Sequence, residues 1–164
     1  MDLKMNQSFL LNHYNIEETD NGYKFVTNSG ISYFLTFISY PVVSEILSTN
    51  IYMFNIEREN CITNGPYDEQ VRDTVIYVLF RFFEKHEDAL ITICDIMDGK
   101  QNARKRLFDN WFRRYNGGQL LKIDSTCMIG DTTTFVSLMF SANHYNKENL
   151  KEEFIKLTQI NFYN

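Results

Sequence analysis

The stretch Asp95-Ile96-Met97-Asp98-Gly99-Lys100-Gln101, leading into Arg104, concentrates more chemical potential than any other part of the chain. Two carboxylates, an ammonium, an amide and a guanidinium stand where a short apolar run gives way to a helical pattern. Backbone N–H groups at a helix start attract anions, so Lys100, Gln101 and Arg104 at such a start could hold a phosphate or a carboxylate. Asp95 and Asp98 offer hard oxygen ligands to a magnesium ion, but no third carboxylate accompanies them, and no metal is expected. On a helical wheel Arg104 falls inside the apolar stripe of Ala103, Leu107, Phe108 and Trp111, which predicts a partly buried guanidinium in need of a partner. Asp95 or Asp98 would supply that partner and pin the helix to the sheet. The ion pair and the anion site compete for one guanidinium, and both readings stay open. A second candidate is Glu57 or Glu59, at the end of a predicted strand, where a carboxylate can act as a general base and is more often simply solvated.

The elements that position these residues follow from spacing. Tyr23 to Asn28 alternates aromatic and polar residues and turns at Asn28-Ser29-Gly30 into Ile31 to Tyr40, which predicts a hairpin. After Pro41 a third run places Tyr52, Phe54 and Ile56 on one face. Asp68 is a predicted N-cap for a helix carrying Val71, Val75, Val78, Leu79 and Phe82 at helical spacing and ending near His86. Ala89 to Asp95 reads as a buried strand. A second helix runs from about Lys100 to Tyr115, and Gly117-Gly118 stops it. Leu120 to Met128 and Thr133 to Ala142 pair across Gly130-Asp131. Asn146 opens a last helix, within residues 146–164, that buries Leu150, Phe154 and Leu157. The expected class is α+β, a single mixed sheet in the order βββ-α-β-α-ββ-α. Residues 1–22 stay open between a strand, a short helix and an interface arm.

Composition sets further bounds. With 164 residues, 44% hydrophobic and 15% aromatic, the chain can bury a core of its own and suits one domain. No apolar run approaches the roughly 20 residues that span a bilayer, and residues 1–14 lack the pattern of a secretion signal, so a cytoplasmic protein without membrane contact is expected. Cys61, Cys94 and Cys127 are odd in number and far apart, which suits packed thiols better than a disulfide framework. His13, His86 and His144 are equally scattered. A net charge of −5 argues against a nucleic-acid surface in general. Residues 100–114, however, hold Lys100, Arg104, Lys105, Arg106, Arg113 and Arg114 against Asp109 alone, a local +5 that leaves −10 on the remainder. One basic helix face is expected on an acidic body.

The order of elements, together with Ala89 to Asp95, Gln101-Asn102-Ala103, Leu107-Phe108 and Trp111-Phe112, resembles the core of GNAT-type acyltransferases over roughly residues 50–142. In that superfamily antiparallel strands are followed by a long helix, a strand, a second helix and a closing strand pair. The resemblance implies acetyl-CoA as cofactor, an amine as acceptor, and a general base where Glu57 or Glu59 stands. The whole chain also resembles an uncharacterised group of Bacteroidota proteins, chiefly through CDIMDGKQNARKRLFDNWF, and that likeness implies no activity.

Two departures weigh against the acyltransferase chemistry. The family's Gly-rich, basic loop at the start of the long helix reads ITNGPYDEQV here, with one glycine, a proline lacking an N–H, and two carboxylates, Asp68 and Glu69, that repel a pyrophosphate. The family's general-acid tyrosine would fall at Leu107 or Phe108, neither of which can donate a proton. The expectation is therefore a GNAT-like domain without a standard catalytic pair, acting by binding a protein partner or a small anion. An acyltransferase with an atypical coenzyme site and a nucleic-acid-associated protein are the alternatives, and oligomeric state stays open.

Overall fold

The computed structural model describes residues 12–59, 67–85, 87–94 and 99–160. Its elements run β1 (Glu17–Thr19), β2 (Gly22–Val26), β3 (Ser32–Ser39), α1 (Pro41–Leu47), β4 (Ile51–Arg58), α2 (Glu69–Lys85), β5 (Ala89–Ile93), α3 (Gln101–Tyr115), β6 (Leu120–Ile129), β7 (Thr132–Ser141) and α4 (Lys147–Ile160). The strands form one seven-stranded sheet in the order β1-β2-β3-β4-β5-β7-β6. β4 and β5 pair in parallel, while β1–β2, β2–β3, β5–β7 and β6–β7 pair antiparallel. The α+β class and the expected order hold, with β1 and α1 added to it.

Both additions are short, which is why spacing does not announce them. β1 has three residues, all exposed, and so carries no apolar alternation. α1 has seven, too few for a helical period to repeat. Pro41, which reads as a break in sequence, instead opens α1 at the first helical turn, where its missing N–H costs nothing. Ser44 then fastens the turn: its Oγ donates to the Tyr40 carbonyl at 2.9 Å and accepts the Ile51 N–H at 2.8 Å.

Contacts group the chain into two compact units. In the first, which holds β1–β3, the second part of β4 and α2, the core is aromatic. Phe25 stacks on Tyr14 and Tyr33 with centroids at 5.7 and 5.0 Å, and Phe37 stacks on Phe82 at 4.8 Å. α2 buries Val75, Ile76, Val78, Leu79, Phe80, Phe82 and Phe83, well beyond one stripe. Asp73 is also buried, and its carboxylate accepts from Arg72 Nε at 2.8 Å and Asn12 Nδ2 at 2.7 Å, the partnership that a buried charge requires.

The second unit holds α1, the first part of β4, β5, α3, β6, β7 and α4. One face of its sheet meets α1 and α4, where Leu47, Ile51, Ala89, Ile91, Leu138, Phe140, Leu150 and Phe154 close a core. Each buried large side chain there contributes roughly 2 kcal/mol. The strand period of two fixes what faces α3 on the other side. Ile123 pairs with Leu138 toward the core, so Lys122 and Asp124 must point away from it, as do Phe135, Ser137 and Met139.

Gly22 is where close approach decides the residue type. Its φ of +157° lies in a region that other residues avoid, and a Cβ there would sit 1.9 Å from the Leu35 carbonyl oxygen. A Gly22→Ala change should therefore push β2 off β3 and cost about 2–3 kcal/mol in urea denaturation. The same substitution at Gly30, where a Cβ meets nothing within 4 Å, should cost distinctly less, from its positive φ alone.

Candidate functional site

Asp95 and Asp98 lie outside the described residues, so the structure speaks for the other half of the junction. Gly99 makes the turn with φ +69°, and Lys100 precedes α3 without capping it through its side chain. No acidic residue occupies the first turn, which leaves the helix start electropositive. Gln101 is half-buried with its Oε1 inaccessible and lacking a hydrogen-bond partner, and Lys100 is exposed. Arg104 is half-buried, as its place on the wheel predicts, and its charge acts on the Cys94 thiol at the end of β5. Burial pushes that thiol up, and Arg104 opposes the shift. Lys100, Gln101 and Arg104 are thus brought together at one helix start.

The rest of α3 departs from the wheel. Ala103 and Leu107, expected inside, are exposed, and no residue of the helix is fully buried. Phe108, Trp111 and Phe112, expected inside as well, are half-buried, and Lys105 and Asp109 join Phe112 in contacts with the sheet. Lys105 lies over the Phe135 ring at 5.6 Å, Lys122 lies over the Phe112 ring at 5.9 Å, and Asp109 accepts from Lys122 at 2.5 Å.

Lys122 stands at the centre of these contacts. Its side chain is only 5% exposed, and an ammonium so buried requires counter-charges. Asp109 from α3 and its strand neighbour Asp124 provide them. Lys105 also donates to Asp109 at 2.5 Å, and Ser137 Oγ donates to Asp124 at 2.6 Å across the strand pair. Burial raises the Asp109 pKa, but the hydrogen bonds from Lys105 and Lys122 outweigh it and hold the carboxyl below its ordinary range. An ion pair therefore does pin the helix to the sheet, from residues that sequence reasoning did not select. The available signal was the alternation Leu121-Lys122-Ile123-Asp124, which sets two opposite charges on one strand face.

Glu57 and Glu59 are both exposed on or just beyond the end of β4, as solvated side chains there would be. At the start of α2, Asp68 is the N-cap that its position predicts. Its Oδ1 accepts the Gln70 N–H at 2.8 Å and the Val71 N–H at 3.3 Å, while Oδ2 accepts from the Tyr14 hydroxyl at 2.8 Å. The positive end of the longest helix is thereby occupied by the chain's own carboxylate. Among the described residues, no group of histidine, cysteine and carboxylate side chains is arranged to hold a metal ion, and no helix is long and apolar enough to cross a membrane.

His144, one of the three histidines scattered in sequence, is buried between elements of the second unit. Its Nδ1 accepts the Asn146 N–H at 3.0 Å, and the Asn146 side chain reaches the Leu47 carbonyl at 3.3 Å, so Asn146 ties α4 to α1. Burial lowers the pKa of this imidazole, and the nearby Glu87 backbone only partly opposes the shift.

Two measurements test these contacts. Lys122→Met should strand Asp109 and Asp124 against each other and cost about 2–3 kcal/mol in urea denaturation, with part of the loss recovered when Asp109→Asn is added. For His144 the folded pKa lies below the unfolded one, so the unfolded chain takes up the proton first. Stability should be complete above pH ~6.5 and fall as pH drops below it, and His144→Gln should flatten that slope in thermal scans between pH 5 and 8.

The family model described as "Family of unknown function (DUF6169)" matches residues 67–156, from the Asp68 cap through α2, β5, α3, β6 and β7 into α4. No curated protein and no solved structure matches the chain. Because the matched segment covers more than half of the 164 residues and holds both the capped helix and the Lys122 network, the chain belongs to DUF6169, a family whose function is unknown.

Proposed function

We propose that the protein is a GNAT-like domain that does not use acetyl-CoA and acts by binding an acidic protein partner through α3. The observation that carries the first half is the Asp68 cap. In the family that the chain resembles, the start of the long helix receives the coenzyme pyrophosphate, and here the Gln70 and Val71 N–H groups are already taken by a carboxylate. An incoming pyrophosphate would have to displace Asp68 and would meet Glu69 beside it. The GNAT likeness itself is supported by the element order and by a parallel β4–β5 pair flanking the long helix. Leu107 and Phe108, at the position of the family's general acid, cannot donate a proton, and Glu57 and Glu59 are exposed.

The exposure along α3 supports the second half. Leu107 is 38% exposed, and Trp111, Phe108 and Phe112 are only half-buried, while Arg106, Arg113 and Arg114 stand exposed around them. Partly covered aromatic and aliphatic side chains ringed by arginines make the composition of a protein interface that prefers negative charge. A second reading has its own observation: the uncapped start of α3, with Lys100, Gln101 and Arg104, suits a small anion such as phosphate.

Calorimetric titration with acetyl-CoA and with coenzyme A should give no binding up to about 1 mM, and micromolar affinity would restore the acyltransferase reading. Trp111 is the only tryptophan and reports on α3 directly. An acidic amphipathic peptide should shift its emission to the blue, with a salt-dependent affinity that is lost in an Arg106→Glu/Arg113→Glu variant. An unchanged emission with saturable binding of inorganic phosphate would favour the small-anion reading instead.

A further inference from the structure

His144 stands where three elements of the second unit meet. It follows β7, whose Phe140 ring meets it edge-on with centroids at 5.8 Å, and it leads into α4. The side chain is 5% exposed. Nδ1 accepts the Asn146 N–H at 3.0 Å, so the ring is neutral and carries its proton on Nε2, which is sealed from solvent and turned toward the Glu87 backbone. With its amide held in this way, Asn146 accepts the Leu150 N–H on its own carbonyl at 3.0 Å, the bond that opens α4. Its side chain donates to the carbonyl of Leu47, the last residue of α1, at 3.3 Å. One imidazole nitrogen therefore organises both the start of α4 and its tie to α1.

A second proton does not fit this arrangement. On Nδ1 it would point at the Asn146 N–H, and the imidazolium would stand at the positive end of a helix, two effects of the same sign. Negative charge lies to one side only. Among the described residues, Glu87 and Asp88, ahead of β5, are the carboxylates that act on the ring. β7 offers the Ser141 carbonyl, which already accepts the His144 N–H at 2.9 Å, and α1, with Glu45 its one charged residue, reaches this point through the Leu47 carbonyl. α4 brings Lys147, a further positive charge, and Glu148, which is paired with Lys151 at 3.1 Å. Tyr145 stacks on the imidazole at 4.6 Å and is itself 78% exposed, so the two rings have room to move outward.

We infer that His144 is a pH-operated latch on α4: as a neutral ring it holds the first turn of the helix against α1, and as an imidazolium it swings toward Glu87 and Asp88 and lets that turn go. Each protonation state has its own partners, which is what a two-state element requires. The released state frees the Asn146 amide and side chain and opens the seam over Leu47 and Leu150, both fully buried in the closed form. Burial holds the folded imidazole below its ordinary pKa of about 6.5, so the latch is shut at neutral pH and opens as pH falls below that value. The opening is local, one turn of helix, and takes less free energy than unfolding the chain.

The test is nuclear magnetic resonance on the full chain from roughly pH 7.5 to 5. Imidazole nitrogen shifts should report the Nε2–H tautomer at the upper end. As His144 titrates, the Asn146 and Leu150 amides, corrected for intrinsic exchange, should lose at least tenfold in protection, while amides of the β6–β7 ladder keep theirs. In His144→Asn, where Oδ1 can take the place of Nδ1 and cannot titrate, that loss should vanish. Glu87→Gln, an exposed change, should leave the neutral-pH spectrum intact and move the opening to lower pH. An Nδ1–H tautomer at neutral pH, a loss of protection that is uniform across the chain, or an unaltered pH dependence in His144→Asn would each overturn the assignment. Should the buried substitution fail to fold, an opening unmoved by Glu87→Gln would do the same.

Discussion

The placement of α3 depends on one ammonium group. Lys122 points to the side of the sheet opposite the α4 core because the strand period leaves it no other direction, and once there it is nearly sealed from water. A charge in that position is tolerable only with carboxylates at hand, and Asp109 reaches it from α3. Asn116, just past the helix, closes the arrangement by exchanging hydrogen bonds of 2.7 Å with the Leu120 backbone at the start of β6. Along α3, charged contacts to the sheet compete with the apolar stripe, which leaves Phe108, Trp111 and Phe112 half-buried and Leu107 exposed.

That conflict also marks the limit of what was legible in the sequence. Strands with clear alternation and helices with a full stripe, such as α2 and α4, sit where spacing puts them, and Leu150 and Phe154 are fully buried as read. The Asp68 cap was legible because a cap is a local event between a side chain and the next two or three amides. α1 and β1 are shorter than the periods that reveal such elements. The Lys122–Asp109 pair was illegible for a different reason: its lysine lies on a strand, 13 residues along the chain, and the pair becomes visible only when β6 is in place. Arg104 is half-buried at the start of α3, as its place on the wheel predicts.

The two helix starts in this chain have opposite characters. At α2 the positive end is neutralised internally by Asp68, itself held by the Tyr14 hydroxyl. At α3 it is left without a side-chain cap, next to a basic sequence. The first helix start is closed by a carboxylate of the chain itself, and the second, among the described residues, carries no side-chain cap.

The β6–β7 hairpin carries a consequence for how the chain acquires its fold. Ten residue pairs form in continuous register across a two-residue turn, with Gly130 supplying the positive φ at its first position. These contacts are close in sequence and inexpensive in loop entropy, whereas the parallel β4–β5 pair must wait for the whole of α2 to be bridged. The hairpin is thus the natural early template, and it presents Lys122 and Asp124 together before α3 arrives. Asp109 meets that pair of charges only once α3 has packed on the hairpin.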